Sequence, residues 1–344
     1  MKRHLFVTLA VLTAGILSLF GCSRTELAPG RVVLQLNWLH DPTFAGHYIW
    51  EESGKGQVVI REGGANIAPL AEVMSKRADV AVVGADIFLQ RIAESLAGGQ
   101  EADLMVISVD FQRNPVGWVM HPDAAKAEGL SHVEQMTAQE RNQWLFDKAQ
   151  SGAVSIGDKR GTETTAVWMR WAKAHGADNV KVVPVGFDAS VVLSAPKMAY
   201  PVYLNEEPFK LGARIGTSVV VFDPAADNVK LYGNVIVCRR EMFEKEPERV
   251  RAIAKAIAES WAAAKADPTK AVQRVMTVYT GVDKAVVQLQ VEKTLEFVFD
   301  GVSAAGSMDL LPGGRWEQTV KTLHEAGVLK ADVPLERLKK HILQ

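Results

Sequence analysis

Between Arg31 and Arg239 the chain switches repeatedly between two kinds of apolar spacing. The runs VVLQLNW, QVVIRE, ADVAVVG and DLMVISVD are short and rich in Val, Ile and Leu, which predicts strands. FAGHYIWEE, IAPLAEVMSK and DIFLQRIAESL lie between them with helical spacing; in the last, Ile87, Leu89, Ile92 and Leu96 fall mostly along one face. A strand, a helix and a strand in succession require a crossover, so the strands should lie mostly parallel with helices over the sheet. A second set follows. GWVMHP, AVSIGD, VKVVPVG, MAYPVYL and ARIGTSVVVF read as strands, AQERNQWLFDKAQ and TETTAVWMRWAKAH as helices, and a short helix is expected near Asp188 to Leu193. After the strand NVIVCRR the chain turns helical to its end, with Pro247 and Pro268 inside first turns and Gly327 just past a last one. There is no internal sequence repeat and no low-complexity tract.

This pattern predicts two α/β lobes followed by a helical C-terminal segment. At 344 residues there is chain enough for about two domains, each with its own core. Strand-like segments near Pro115 to His121 and near Asn234 to Arg239 are expected to cross between the lobes, leaving a cleft, a favoured place for a small ligand. The expected boundaries are lobe 1 over 31–116, lobe 2 over 117–233, and a return to lobe 1 over 234–344. With 48% hydrophobic residues and a formal charge of −1, the chain is neither disordered nor suited to gripping a phosphate backbone, so nucleic acid is not an expected partner.

The N-terminus reads as an address. Lys2 and Arg3 precede an uncharged stretch from Leu5 to Phe20, then Gly21 and Cys22. This describes an export signal over 1–21; the apolar run is short for the roughly 20 residues that span a bilayer. Leu19-Phe20-Gly21-Cys22 resembles a bacterial lipobox, which implies cleavage before Cys22 and a lipid on its thiol. The alternative is plain secretion with Cys22 incidental. Residues 22–30 are polar and include Pro29 and Gly30, which suits a tether. Losing Lys2 and Arg3 lowers the formal charge from −1 to −3. Cys238, in a strand-like run, would be a lone buried thiol.

Several segments, taken in order, resemble the solute-binding proteins of ABC importers related to thiamine-pyrimidine-precursor binders and, more distantly, to aliphatic-sulfonate binders. LNWLHDPTFAGHY carries the Asn37-Trp38 and Gly46…Tyr48 pairs; FQRNPVGWV carries Gln112 to Pro115; VYLNEEPFKL carries Tyr203, Asn205 and Glu207-Pro208. LYGNVIVCRREMFEKEPERVRAIAKAI and RWEQTVKTLHEAGVL also fit. The resemblance covers nearly the whole mature chain. It implies a periplasmic-binding-protein type II fold and closure of the lobes on a small-molecule solute. It also implies docking of the closed form on a permease and ATPase complex. The protein would be a monomer held on the periplasmic or extracellular face by Cys22, with no cofactor. Flat, nitrogen-containing heterocycles are the implied cargo. Three departures bear on the ligand: Phe44 stands where a His is common, YIWEESGKGQVVI is shortened, and Ala199-Tyr200 replaces an Asp-Ala pair.

The candidate ligand-binding residues are Asn37, Trp38, Asp41, Tyr48, Asp86, Arg113, Thr162, Tyr203 and Glu207. Trp38 offers a face for stacking a flat ring or fills the core. Asn37 and Asp41 supply hydrogen bonds to ring nitrogens, or Asp41 starts the next helix through its side-chain oxygen. Tyr48 points into the cleft or packs. Asp86 follows a strand end, where it borders the crevice, caps the helix, or does both. Arg113 pairs with a ligand anion or forms a structural ion pair at the crossing. Gly161, Thr162 and Thr164 open a helix whose free N–H groups favour an anion, although Glu163 beside them argues against a strongly anionic ligand, and Thr162 also reads as a plain cap. Glu207 suits a ligand bearing an amino group or a positive charge.

A related enzyme, the thiamine pyrimidine synthase, uses a lysine and a histidine in a Lys-x-x-x-His segment. The matching positions here are Gly84 and Phe88, so neither the amine for a Schiff base nor the nitrogen donor is present there. No HExxH and no Gly-x-Ser-x-Gly motif occurs. No catalytic residue and no metal site is expected. A lipid-anchored ligand sensor is a further alternative that uses the same clamp.

Overall fold

The computed structural model describes residues 30–160, 162–300, 308 and 313–343. The signal segment, Cys22, most of the tether and Gly161 lie outside the described residues.

β1 (Val32–Gln35) leads through a 3₁₀ turn into α1 (Ala45–Ser53). β2 (Val58–Arg61), α2 (Pro69–Met74), β3 (Val80–Gly84), α3 (Ala85–Ala97) and β4 (Leu104–Val109) follow. The chain then crosses into β5 (Val116–Met120), α4 (Pro122–Ala127), α5 (Ala138–Gln150), β6 (Ser155–Asp158) and α6 (Glu163–Ala174). β7 (Val182–Pro184), β8 (Met198–Tyr203), α7 (Glu207–Ile215) and β9 (Val220–Phe222) complete that part. β10 (Asn234–Arg239) returns, and α8 (Arg240–Lys245), α9 (Pro247–Ala266), α10 (Pro268–Val278), α11 (Lys284–Val298), α12 (Arg315–Glu325) and α13 (Leu335–Leu338) end the chain.

Two five-stranded sheets result, ordered β2-β1-β3-β10-β4 and β7-β6-β8-β5-β9. In the first, β1 pairs in parallel with β2 and β3, while β10 is antiparallel to β3 and β4. In the second, β6 pairs in parallel with β7 and β8, while β5 is antiparallel to β8 and β9. The order is the same in both: second, first and third parallel strands, then the reversed strand, then the last. The reversed strand in each sheet, β5 or β10, is the one that arrives from the other lobe. A crossover helix delivers a strand in the same direction as its predecessor. A chain entering from outside the lobe is free of that constraint.

Strands β3, β4, β5 and β10 are nearly uniformly buried, which explains their continuous apolar runs. The exposed edge of β4 is partly covered where Ile342 bridges Val106. In the first lobe α1 and α9 pack closely because Gly46 has no side chain: a Cβ there would lie 2.6 Å from Cε2 of Trp261. The same contact holds a buried polar link, with His47 Nε2 at 2.7 Å from Asp110 Oδ2 and Trp261 Nε1 donating to Asp110 Oδ1. The second lobe is built on Trp118, Phe146, Trp168 and Trp171. Asp227 Oδ2 there takes hydrogen bonds from Trp171 Nε1 and Asn142 Nδ2 and meets His175 Nε2.

Three local expectations change. ARIGTSVVVF is not one strand: its first half ends α7, which stops at Gly216 with a left-handed φ of 74°, and only Val220–Phe222 pairs with β5. β-branched composition after residue 218 masked a helix that starts with Pro208 in its first turn. On α3, Ile87 is exposed and the buried face is Phe88, Leu89, Ile92 and Ala93. Asp86 is not the cap of α3. Gly84 flanks the helix start and Asp86 lies inside the first turn.

Candidate functional site: a cleft between the lobes

Parallel strands point their C-terminal ends at one edge of each sheet, and the antiparallel return strand starts there. Asn37 and Trp38 follow β1, Lys159 follows β6, Tyr203 ends β8 and Asn234 opens β10. These ends converge on a cavity of about 190 Å³ lined by both lobes. Lobe 1 contributes Asn37, Trp38, Asp41, Thr43, Phe44 and Asn234; lobe 2 contributes Lys159, Thr162, Glu163, Thr164, Phe187, Tyr203, Glu206 and Glu207. A larger hollow of about 610 Å³ lies beside α12, but lobe 1 alone lines it and no strand end reaches it.

Two aromatic rings meet at the cavity. Trp38 and Phe187 come from different lobes, with centroids 6.2 Å apart and planes tilted by 39°. Phe187 is 61% exposed, a large ring held in solvent beside the cavity. Lys159 Nζ lies 5.8 Å from its centroid.

The polar lining is dominated by carboxylates. Asp41 caps the 3₁₀ turn by accepting from Thr43 N at 2.6 Å and also lines the cavity. Burial, then the nearby Glu206 charge, holds its pKa well above the usual carboxylate value. Glu207 accepts from Tyr203 N at 2.8 Å and lies 3.8 Å from Lys159 Nζ. Burial and Glu206 push Glu207 up to about 7. Glu206 pairs with Lys210 of α7. Tyr203 donates its hydroxyl to Glu163, and burial, then that carboxylate, raise its pKa. Thr162 caps α6, accepting from Thr164 N.

Six of the nine candidate residues thus line the cavity: Asn37, Trp38, Asp41, Thr162, Tyr203 and Glu207. The other three lie around it. Tyr48 is fully buried on α1 and donates its hydroxyl to Asp41 O, so it supports a cavity residue from behind. Asp86 is 5% exposed, feels the Glu163 charge, and its Oδ2 has no hydrogen-bond partner. Arg113 sits at the crossing, 3.0 Å from Asp223 Oδ2 and over the ring of Phe297, in the structural arrangement that was one of its two readings. Sequence reasoning did not single out Lys159, Phe187, Glu206 or Asn234. Phe187 and Lys159 sit in loops with no periodicity, and only folding brings them to Trp38.

Direct contacts between the lobes surround the cavity. Asn205 Nδ2 of lobe 2 donates to Thr43 Oγ1 and Thr294 Oγ1 of lobe 1, each at 3.1 Å. Gln290 Nε2 of α11 donates to Glu206 O at 3.2 Å.

Among solved structures, the aliphatic sulphonate binding protein of Escherichia coli is similar over 92% of this chain and 93% of its own, with a TM-score of 0.63 at 12% identity. The alkanesulfonate-binding protein of Xanthomonas axonopodis, bound to MOPS, covers 92% and 98% with a TM-score of 0.59 at 13% identity. A Candida albicans protein described as having the generic periplasmic binding protein fold covers 92% and 96% with a TM-score of 0.56 at 14% identity. The fold is that of a periplasmic binding protein. With two sheets of the stated order it is the type II form predicted from the resemblance. The family model described as NMT1/THI5 like matches residues 158–271, from the end of β6 through α9, so the resemblance to thiamine-precursor binders is supported on the stretch that carries Lys159, Tyr203 and Glu207. No curated protein matches the chain in sequence. No helix among the described residues is long and apolar enough to cross a membrane.

Proposed function

We propose that the protein is the extracytoplasmic solute-binding component of an ABC importer and captures a small, flat, nitrogen-containing heterocycle by lobe closure. The observation that carries the ligand class is the cavity lining: Trp38 and Phe187 as aromatic walls, with Asp41, Glu163, Glu206 and Glu207 around them. A flat ring can stack on the exposed aromatic face of either residue, and amino groups on it donate to the carboxylates. Lys159 is the cavity's cation and already faces Glu207 at 3.8 Å. That composition disfavours the sulfonate that the Xanthomonas protein's name specifies. The volume, below the roughly 300–1,000 Å³ of drug-sized sites, restricts the occupant to about one ring. A thiamine pyrimidine precursor meets these requirements.

Binding needs no bond made or broken. At the position matching the synthase lysine, a Cβ on Gly84 would fall on the Asp86 carboxylate, and Phe88 at the histidine position is fully buried against Trp316. The lipid on Cys22 belongs to this proposal. It anchors the receptor beside its permease. Metabolic labelling with palmitate should mark the wild type and not Cys22→Ser; equal labelling of both would remove the anchor.

A thermal-shift screen of aminopyrimidines, nucleobases, flavins and alkylsulfonates tests the ligand class. Amino-bearing single rings should raise the melting temperature by mass action, whereas alkylsulfonates should not. A shift with sulfonates alone would overturn it.

A further inference from the structure

The N-terminal turn of a helix attracts negative charge through its free N–H groups and its dipole. Two helices begin near the cleft, one from each lobe: α6 of lobe 2, whose first turn lines the cavity, and α3 of lobe 1, whose flanking Gly84 pairs with the lining residue Asn234. Ala166 of α6 belongs to the same buried apolar cluster as Phe88 and Leu89 of α3. In an anion-binding cleft these turns would receive the ligand. Here each carries a carboxylate of the chain itself, Asp86 in the first turn of α3 and Glu163 in the first turn of α6. Glu163 has a donor in Tyr203. Asp86 is 95% buried and its Oδ2 has none, an acceptor left unsatisfied beside the cavity. An orphaned buried acceptor is costly, so the cleft lacks a donor at this point.

We propose that Asp86 and Glu163 form a charge gate that fixes the specificity of the cleft: the closed form requires a positive charge, on the ligand or as a proton, between the two carboxylates. The gate deepens the heterocycle reading by naming its charge, a cationic ring or one bearing an ammonium arm. It also makes the chain's own side chains fill the anion sites of α3 and α6. The groups acting on Asp86 are Glu163 of α6, which disfavours its ionisation, and the N–H groups of its own first turn, which favour it. Asp86 in turn acts on Tyr203 of β8. Burial and Glu163 lift Asp86 from 3.8 to about 7, in keeping with a missing counter-charge.

The ligand-free test uses the mature protein and small-angle scattering. At about pH 8 Asp86 is ionised and the wild type should open; below about pH 6 Asp86 takes a proton and the protein should close. Asp86→Asn and Glu163→Gln keep shape and remove one charge, so either should be compact at both pH values, with melting curves confirming that it folds. If both variants scatter like the wild type at both pH values, the gate is wrong. The ligand test pairs an aminopyrimidine bearing an aminomethyl arm with its hydroxymethyl counterpart, measured by calorimetry. The wild type should prefer the charged arm by about tenfold or more, and Asp86→Asn should lose the preference. Equal affinities unaffected by the substitution would sink the gate and leave the heterocycle reading intact. Closure that depends on pH and Asp86, with neither probe bound, would sink the heterocycle reading and leave the gate.

Discussion

Gly46 illustrates what one residue decides. Any side chain there must enter the space of the Trp261 ring, with Cε2 at 2.6 Å, and the ring is fully buried. Gly46→Ala should therefore destabilise the protein by about 1–3 kcal/mol in urea denaturation, because an overpacked core pays in displaced neighbours. No change in midpoint would contradict this packing. Trp38 lies at the opposite extreme, half-buried at a cavity wall. Trp38→Ala should weaken a ligand found by the screen about tenfold or more while leaving the melting temperature of the free protein nearly unchanged. Cys238 is fully buried in β10, and burial pushes its thiol up to about 12. It should resist thiol reagents near pH 8 until the protein unfolds; rapid labelling of the native mature protein would show otherwise.

At the scale of elements, most helices and strands were legible because each carries its own periodicity. α5 coincides with the predicted AQERNQWLFDKAQ, bounded by a capping box in which Thr137 and Glu140 satisfy one another's backbone N–H. α7 was not legible: nine residues with two glycines nearby, followed by a β-branched run, hide a helix held by packing against α11. Asp227 shows how elements are tied together. One carboxylate oxygen joins α5 through Asn142 to α6 through Trp171 and His175. Asp227→Ala leaves the buried Trp171 N–H unpaired and removes one acceptor from Asn142 Nδ2, and should cost lobe 2 about 2 kcal/mol or more. An unchanged lobe 2 unfolding transition would mean that water replaces the carboxylate without loss.

For the whole molecule, the carboxylates of the cleft set a pH dependence with a definite sign. Asp86 and Glu207 are raised to about 7 from 3.8 and 4.5, so the folded form holds protons that the unfolded chain has lost. Stability should fall as pH rises through about 7 and recover on acidification toward the ordinary carboxylate range. Below that range it falls again, because carboxylates such as Glu241 and Glu101, held low by Lys245, Lys76 and His341, become protonated and lose their partners. The ligand-free melting temperature should thus peak on the acid side of neutrality; a monotonic rise up to about pH 8 would contradict the raised values.

By itself the sequence determined the order of most strands and helices, the two strand-like crossings, and the aromatic and acidic residues that follow strand ends, Trp38 and Glu207 among them. These are local properties, written in spacing over a few residues and in turn chemistry. The sequence showed no repeat, yet the two sheets share one topology, since topology depends on the order of pairing and not on residue identity. Only the tertiary structure decided that Phe187 faces Trp38, that Glu206 lies near Asp41, and that Asp86 feels Glu163. These partners lie far apart in the chain and on different lobes. No local pattern encodes such a meeting. It exists because packing the two lobes against one another brings the strand ends and helix starts of both sheets to the same small space.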